Sequence, residues 1–148
     1  MTHAYIDPTQ EAGAALFTRG IEGAVIMLNL MRFREVADYS ATPELAPDTP
    51  ISGREAYQKY MDATAPFLAD SGGSVIFLGE GGPFFIGPPD KQWDLVMLVR
   101  QNSLQDFLAF ASHPAYQAIM GHRTAALEDS RLLPMLEYQD SNILNPPA

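Results

Sequence analysis

The segment Ala24-Val-Ile-Met-Leu-Asn-Leu-Met31 decides the fold, because it is a strand with apolar residues on both of its faces. Successive side chains of a strand point to opposite faces, so a strand that is buried on one face alternates apolar with polar residues. Here Asn29 alone interrupts the apolar run. We therefore predict a strand over residues 24–31 that is covered on both sides.

The elements after this strand come in an order that is typical of one fold. A capping box, Ser52-Gly-Arg-Glu55, predicts the start of a helix over residues 52–70, in which Pro66 should cause a kink or an early end. Further apolar and amphipathic segments predict two strands, a helical region and a last strand, over residues 74–79, 93–99, 103–130 and 132–138. This βαββαβ order predicts an α+β fold, the ferredoxin-like sandwich.

The length of the chain indicates a single domain. Its 148 residues suit one hydrophobic core, which we place over residues 24–138. Residues 1–20 are an N-terminal extension, in which Thr9 is expected to cap a short helix. The connection over residues 35–50 is long and rich in proline, and it fits a functional lid, a partner contact or a mobile loop equally well.

The charge balance of the chain excludes several classes of partner. Its 18 acidic and 9 basic residues give a net charge of −9, so we do not expect it to bind nucleic acid or an anionic membrane. The absence of cysteine excludes thiolate metal sites. The N-terminus does not resemble a signal peptide, and no apolar run approaches the roughly 20 residues that span a bilayer. We therefore expect a cytoplasmic protein.

The two-faced apolar strands also predict a homodimer. In a two-layer sandwich the helices cover only one face of the sheet, yet the strands over residues 24–31 and 95–99 are apolar throughout. A second copy of the chain is the simplest cover for the other face.

The helix that follows His113-Pro114 carries the first group of candidate functional residues. At 100° per residue Arg123 shares a stripe with Tyr116, within the apolar face of this helix. A guanidinium in that position needs a partner, so Arg123 either pairs with a carboxylate such as Glu80 or Asp94 or binds a ligand in a pocket. His113 is either a general base or the cap of the helix.

The second group of candidates would bind a substrate. Asn29 is an amide inside an apolar strand, so it either anchors a neighbouring segment or points into a pocket. Tyr57 and Trp93 are candidates for the aromatic wall of such a pocket, although an aromatic stripe on a helix is more often part of the core. His3 and His122 are expected at the surface. Because the histidines show no metal-binding spacing, we expect neither a metal nor a cofactor.

Several of these stretches resemble the DUF1330 family, a domain of unknown function in the dimeric α/β-barrel superfamily. The resemblance covers roughly residues 24–138 and rests on the following segments: Leu28-Asn-Leu-Met-Arg-Phe-Arg34, Tyr57–Tyr60, Ser71-Gly-Gly73, His113-Pro-Ala-Tyr-Gln117 and Arg123-Thr-Ala-Ala126. It implies a ferredoxin-like subunit whose sheet packs on that of a second copy to form a dimeric α/β barrel. In the superfamily, ligands lie between the sheet and the helices.

Three functions remain open on these grounds. The first is an enzyme of the cofactor-independent oxygenase or isomerase type, in which Arg123 holds an anionic oxygen while His113 or Tyr116 moves a proton. The second is a protein that binds a small hydrophobic or acidic molecule, without catalysis, in a pocket lined by Asn29, Tyr57 and Trp93. The third is a structural homodimer whose cleft is filled by its own side chains. The sequence does not decide whether the protein is an enzyme.

Overall fold

The computed structural model describes residues 4–137, which form one four-stranded antiparallel sheet with helices. The elements along the chain are α1 (Gln10–Thr18), β1 (Val25–Phe33), a 3-10 turn (Pro43–Leu45), α2 (Gly53–Asp70), β2 (Ser74–Pro83), β3 (Gln92–Gln101), α3 (Leu104–Ser112), α4 (Pro114–Ala126) and β4 (Leu127–Met135). The strand order is β2-β3-β1-β4, as in the predicted ferredoxin-like sandwich.

The predicted helix caps are confirmed. The Ser52 hydroxyl accepts a hydrogen bond from the Glu55 amide at 3.0 Å, and the Glu55 carboxylate accepts one from the Ser52 amide at 3.1 Å. Thr9 caps α1 by accepting a hydrogen bond from the amide of Ala12. These bonds satisfy amides that the first helical turn leaves without partners, and they fix where each helix begins.

Several predicted boundaries are wrong, among them the end of the second strand, which runs to Pro83 and not to residue 79. The second helical region ends at Ala126 and not near residue 130, because the chain pairs with β1 from Leu127 onwards. The Arg34 amide donates to the Ala126 carbonyl, and Leu127 pairs with Phe33. The last strand therefore starts earlier than the predicted residue 132, and residue 138 lies outside the described residues. Pro66 does not shorten α2, which continues to Asp70.

The helices cover one face of the sheet. Met31 of β1 and Met97 of β3 point to this side, and they pack with buried residues of α2 and α4, among them Ala56 and Ala125. Asn29 belongs to the same face, because side chains two residues apart on a strand share a face. The main core thus lies between β1, β3 and the two long helices.

The opposite face of the sheet is apolar and open in the single chain. Leu28 and Leu30 of β1 belong to it, and the register places Leu98 of β3 and Leu133 of β4 beside Leu28. The Leu133 side chain is 54% exposed, and that of Phe77, which pairs with Leu98 from β2, is 52% exposed. Strand β1 is therefore apolar on both faces, and no helix within residues 4–137 covers its second face.

The long connection packs against α4. The Asp38 amide donates to the Ala125 carbonyl at 2.9 Å, and the buried Tyr39 hydroxyl lies 2.8 Å from Nδ1 of His122. Burial, with a smaller contribution from the charge of Lys59, lowers the pKa of His122. His122, which was expected at the surface, is therefore half-buried, because the connection covers part of this helix. His3 lies outside the described residues.

Candidate functional site

Three buried tyrosines lie between α2, α4 and the sheet. The Tyr60 and Tyr116 hydroxyls are 2.7 Å apart and share a hydrogen bond between the two helices. The Tyr57 ring centroid is 5.2 Å from that of Tyr60 and 5.4 Å from that of Phe33 on β1. Contacts of this kind between tilted rings stabilise a core beyond the area that they bury. The cluster therefore connects both helices to the sheet.

The Tyr57 hydroxyl differs from the other two because it has no hydrogen-bond partner in the part of the chain that the structure describes. Tyr57 as a whole is 2% exposed, yet its hydroxyl makes no hydrogen bond to any residue from 4 to 137. Within that part of the chain, Nε2 of Gln101 is the only side-chain nitrogen or oxygen atom that is fully buried and has no hydrogen-bond partner. A buried hydroxyl normally has a hydrogen-bond partner, so the Tyr57 hydroxyl has a free hydrogen-bonding capacity that residues 4–137 do not use.

The hydroxyls of Tyr57 and Tyr60 have raised pKa values, so both stay protonated at neutral pH. Burial raises the pKa of Tyr57 to about 12, although the nearby positive charge of Arg123 acts in the opposite direction. Burial, together with the Tyr116 and Tyr57 hydroxyls, raises the pKa of Tyr60 well above its ordinary value. Tyr57 therefore offers a neutral hydrogen-bond donor beside a positive charge.

Arg123 supplies that charge from the last turn of α4. Its side chain is only 15% exposed, and its Nη1 donates to the Ile6 carbonyl at 2.7 Å. Its other contacts are longer, with Nη2 3.5 Å from the Ser130 hydroxyl and Nη1 4.0 Å from a carboxylate oxygen of Asp7. Short contacts thus use only part of the donor capacity of this guanidinium, which has five N–H groups.

The carboxylates predicted to pair with Arg123 do not do so. Glu80 lies 3.9 Å from Arg54, and Asp94 accepts a hydrogen bond from the Phe33 amide at 2.8 Å. The prediction failed because β2 and the N-terminal half of β3 lie on one side of β1, whereas Arg123 reaches β4 on the other side.

The partners that Arg123 does have belong to an N-terminal strap, by which we mean residues 5–7. The strap is fastened to β4: the Tyr5 amide donates to Asp129 Oδ1 at 2.9 Å, and the Ser130 hydroxyl donates to the Tyr5 carbonyl at 2.5 Å. Burial raises the pKa of Asp129, but hydrogen bonds from the Tyr5 amide, Arg131 and the Ser130 amide outweigh it and lower the pKa overall. Sequence reasoning missed the strap because no local pattern connects residue 5 to residue 129.

Asn29 is the third polar group on the helix side of the sheet near this cluster. Its Nδ2 donates to the Met27 carbonyl at 3.1 Å, and the side chain is half-buried. It lies two residues from Met31, whose register partner on β4 is Ser130, the residue beside Arg123. Its amide oxygen makes no hydrogen bond within the described residues, and it is not sealed from solvent. Asn29, Tyr57 and Arg123 therefore bring unused polar atoms from three different elements to one side of the sheet.

The other predicted site residues lie in different surroundings. His113 is exposed, caps α4 by accepting a hydrogen bond from the Ala115 amide at 3.1 Å, and packs its ring against Phe67. The Trp93 ring lies beside two guanidiniums, those of Arg32 at 5.2 Å and Arg131 at 5.1 Å. Tyr116 is in the cluster, with its hydroxyl bonded to Tyr60.

Residues 4–137 contain no group of three or more histidine and acidic side chains that could hold a metal ion. None of the helices within these residues is long and apolar enough to cross a membrane.

The fold and these side chains define the class of protein: a ferredoxin-like α+β domain with a tyrosine and arginine cluster between its helices and its sheet. Residues 48–134 match a family described as a domain of unknown function (DUF1330), and the chain belongs to that family. A comparison with curated proteins finds no match.

Two solved structures are similar to the chain over nearly its whole length. One is the structure of methylated RPA0582 protein, which is 33% identical to this chain and superposes with a TM-score of 0.84. The match covers 94% of this chain and 98% of the RPA0582 chain. The other is RPA0582 from Rhodopseudomonas palustris, described as a protein of unknown function, with 33% identity, a TM-score of 0.82, and coverage of 93% and 100%. These similarities establish the family and the fold, and they carry no activity.

Proposed function

We propose that this protein binds a small organic anion with a hydrophobic body between the sheet and helices α2 and α4. The observation that carries this proposal is the Tyr57 hydroxyl, which has no hydrogen-bond partner within residues 4–137 although the tyrosine is buried. A neutral donor beside a guanidinium with unused N–H groups suits an oxygen that carries negative charge. The aromatic rings around Tyr57 suit the apolar part of such a ligand.

Asn29 would complete the site from β1. Its free amide oxygen accepts a hydrogen bond, so a ligand that carries a hydroxyl or an amide in addition to its anionic group would use both ends of the site. Trp93 is not part of this proposal, because its ring stacks with two arginines instead of the tyrosines.

We favour binding over catalysis. The two side chains predicted to move a proton are both engaged: His113 caps α4 from an exposed position, and Tyr116 is bonded to Tyr60. An enzyme of the oxygenase or isomerase type would need a proton acceptor beside the ligand, and Tyr57 stays protonated at neutral pH.

We also propose that the protein is a homodimer, and that it works in the cytoplasm, as its sequence predicts. The open face of the sheet carries half-exposed apolar side chains on its two edge strands, such as Leu133 on β4 and Phe77 on β2. An isologous contact between two such faces would remove them from water. A sedimentation experiment at micromolar concentration should give twice the mass of the chain, and a clean monomer would refute this part of the proposal.

Substitution of the open face provides a sharper test of the dimer. Leu133→Glu places a charge on that face and should convert the dimer into a folded monomer. Val36→Glu is the matched control, because Val36 is similarly exposed, at 59%, but lies in the connection after β1. If both variants stay dimeric, the interface lies elsewhere.

The ligand is tested without assuming its identity. Protein purified gently is examined by native mass spectrometry and then denatured, and released small molecules are detected as negative ions. We expect an organic acid that is retained by the wild type and by Trp93→Phe but lost from Tyr57→Phe and Arg123→Gln. Retention of the acid by all four proteins would refute the proposal. So would retention by none of them, if benzoate, phenylacetate and hexanoate also leave the unfolding temperature of the wild type unchanged.

A further inference from the structure

We propose that Asp7 is a specificity-determining residue of this site and lowers the affinity for a ligand with two negative charges, such as a phosphate monoester, more than for a ligand with one, such as a carboxylate. This inference rests on the proposed function, because it concerns the ligand held by Arg123 and Tyr57. The Asp7 carboxylate lies 4.0 Å from Arg123 Nη1, and no other carboxylate in residues 4–137 forms an ion pair with that guanidinium.

The strap holds Asp7 in this position. The residue before it, Ile6, packs against the core and accepts the short hydrogen bond from Arg123. Tyr5 is bonded through both its amide and its carbonyl to β4, and its ring lies 4.8 Å from the Arg131 guanidinium. Asp7 therefore belongs to an anchored segment, although its own side chain is 62% exposed.

A count of the charges around Arg123 points the same way. Its positive charge is partly compensated by Asp7, and the Tyr57 and Tyr60 hydroxyls stay neutral because burial raises the pKa of each. Arg131 pairs with Leu30 of the open face and is neutralised by Asp129 at 2.6 Å. A ligand with two negative charges would gain twice the attraction from Arg123 and meet twice the repulsion from Asp7, so the affinity that Asp7 removes is larger for a dianion than for a monoanion.

The size of the effect follows from this proportionality. Exposed charge pairs at such distances change an equilibrium constant by about 1.5- to 5-fold. Because repulsion from Asp7 scales with ligand charge, removing it should improve the affinity of a dianion by roughly the square of the improvement for a monoanion. We expect gains of about twofold for a carboxylate and about fourfold for a phosphate.

The test uses two probes with the same ring and different charges, benzoate and phenyl phosphate. Their dissociation constants are measured by calorimetry at pH 8, where a phosphate monoester carries nearly two charges. The proteins compared are the wild type, Asp7→Asn and Arg123→Gln. Asp70→Asn is the matched control, since it removes an exposed carboxylate at the C-terminal end of α2.

We expect Asp7→Asn to tighten the binding of phenyl phosphate about fourfold and that of benzoate about twofold, while Asp70→Asn behaves as the wild type. If benzoate binds only when Arg123 is present and Asp7→Asn improves both probes equally or neither, the inference about Asp7 is wrong and the proposed function stands. If neither probe binds in a manner that requires Arg123, the proposed function fails, and the inference fails with it.

Discussion

The tyrosine cluster makes two substitutions of the same chemical kind differ in their effect on stability. Tyr60→Phe removes one partner of a 2.7 Å hydrogen bond and leaves the Tyr116 hydroxyl buried and unpaired. The loss of a buried partner costs about 1–3 kcal/mol. Tyr57→Phe removes a hydroxyl without a partner in residues 4–137, so we expect the free energy of unfolding to change by less than about 0.5 kcal/mol.

The assay is urea denaturation at pH 7 and one fixed protein concentration, because the stability of a dimer depends on concentration. The double variant Tyr60→Phe/Tyr116→Phe is the internal control. It removes both hydroxyls, so it should recover most of the stability that Tyr60→Phe loses. A loss in Tyr57→Phe as large as that in Tyr60→Phe would show that the Tyr57 hydroxyl has a structural partner, and it would refute the reasoning that assigns it to a ligand.

Three further predictions concern stability. Gly53→Ala should destabilise the fold by about 1–3 kcal/mol, because the new methyl group would clash with the carbonyl oxygens of Arg34 and Ala126. Gly82→Ala is the control and should not destabilise the fold, because there is open space around Gly82; thermal unfolding compares the two variants. The pKa of Tyr57 is about 12 in the folded chain against 10.0 ordinarily, so this residue should account for about 3 kcal/mol of the stability lost as the pH rises from 10 towards 12. Because the pKa of Tyr60 is raised as well, Tyr57→Phe should still lose stability in urea unfolding over this range, but less than the wild type by about that amount. The lowered pKa of Asp129 means that its contribution is complete above pH 3.8 and lost as the pH falls through the folded value, so Asp129→Asn should be less sensitive to acid in the same assay.

The order of elements was predictable from the sequence because each element carries a local signal. Ser52 and Glu55 mark a helix start by residue type and spacing alone, and the apolar run of β1 marks a buried strand. The end of α4 was not predictable, since the apolar pattern continues into Leu127 and only the pairing of that residue with Phe33 stops the helix. Such a boundary is set by a contact between residues that are far apart in the chain.

In the candidate site, too, local features were predictable from the sequence and contacts between distant residues were not. The sequence placed Arg123 and Tyr116 on one apolar helix face, and the structure finds both largely buried. It did not indicate that residues 5–7 would meet Arg123, because that contact depends on where β4 ends the sheet. Nor did it distinguish Tyr57 from Tyr60, whose hydroxyls differ only in whether α4 presents a partner to them.

A crystal structure of gently purified protein, with benzoate added if no ligand is retained, tests the central proposal most directly. The proposal predicts density for an organic acid, with an anionic oxygen within hydrogen-bond distance of the Tyr57 hydroxyl and a free N–H of Arg123, and with its apolar part against the tyrosine rings. A Tyr57 hydroxyl that is closed off by protein atoms, or that contacts only water in the presence of saturating benzoate, would contradict it.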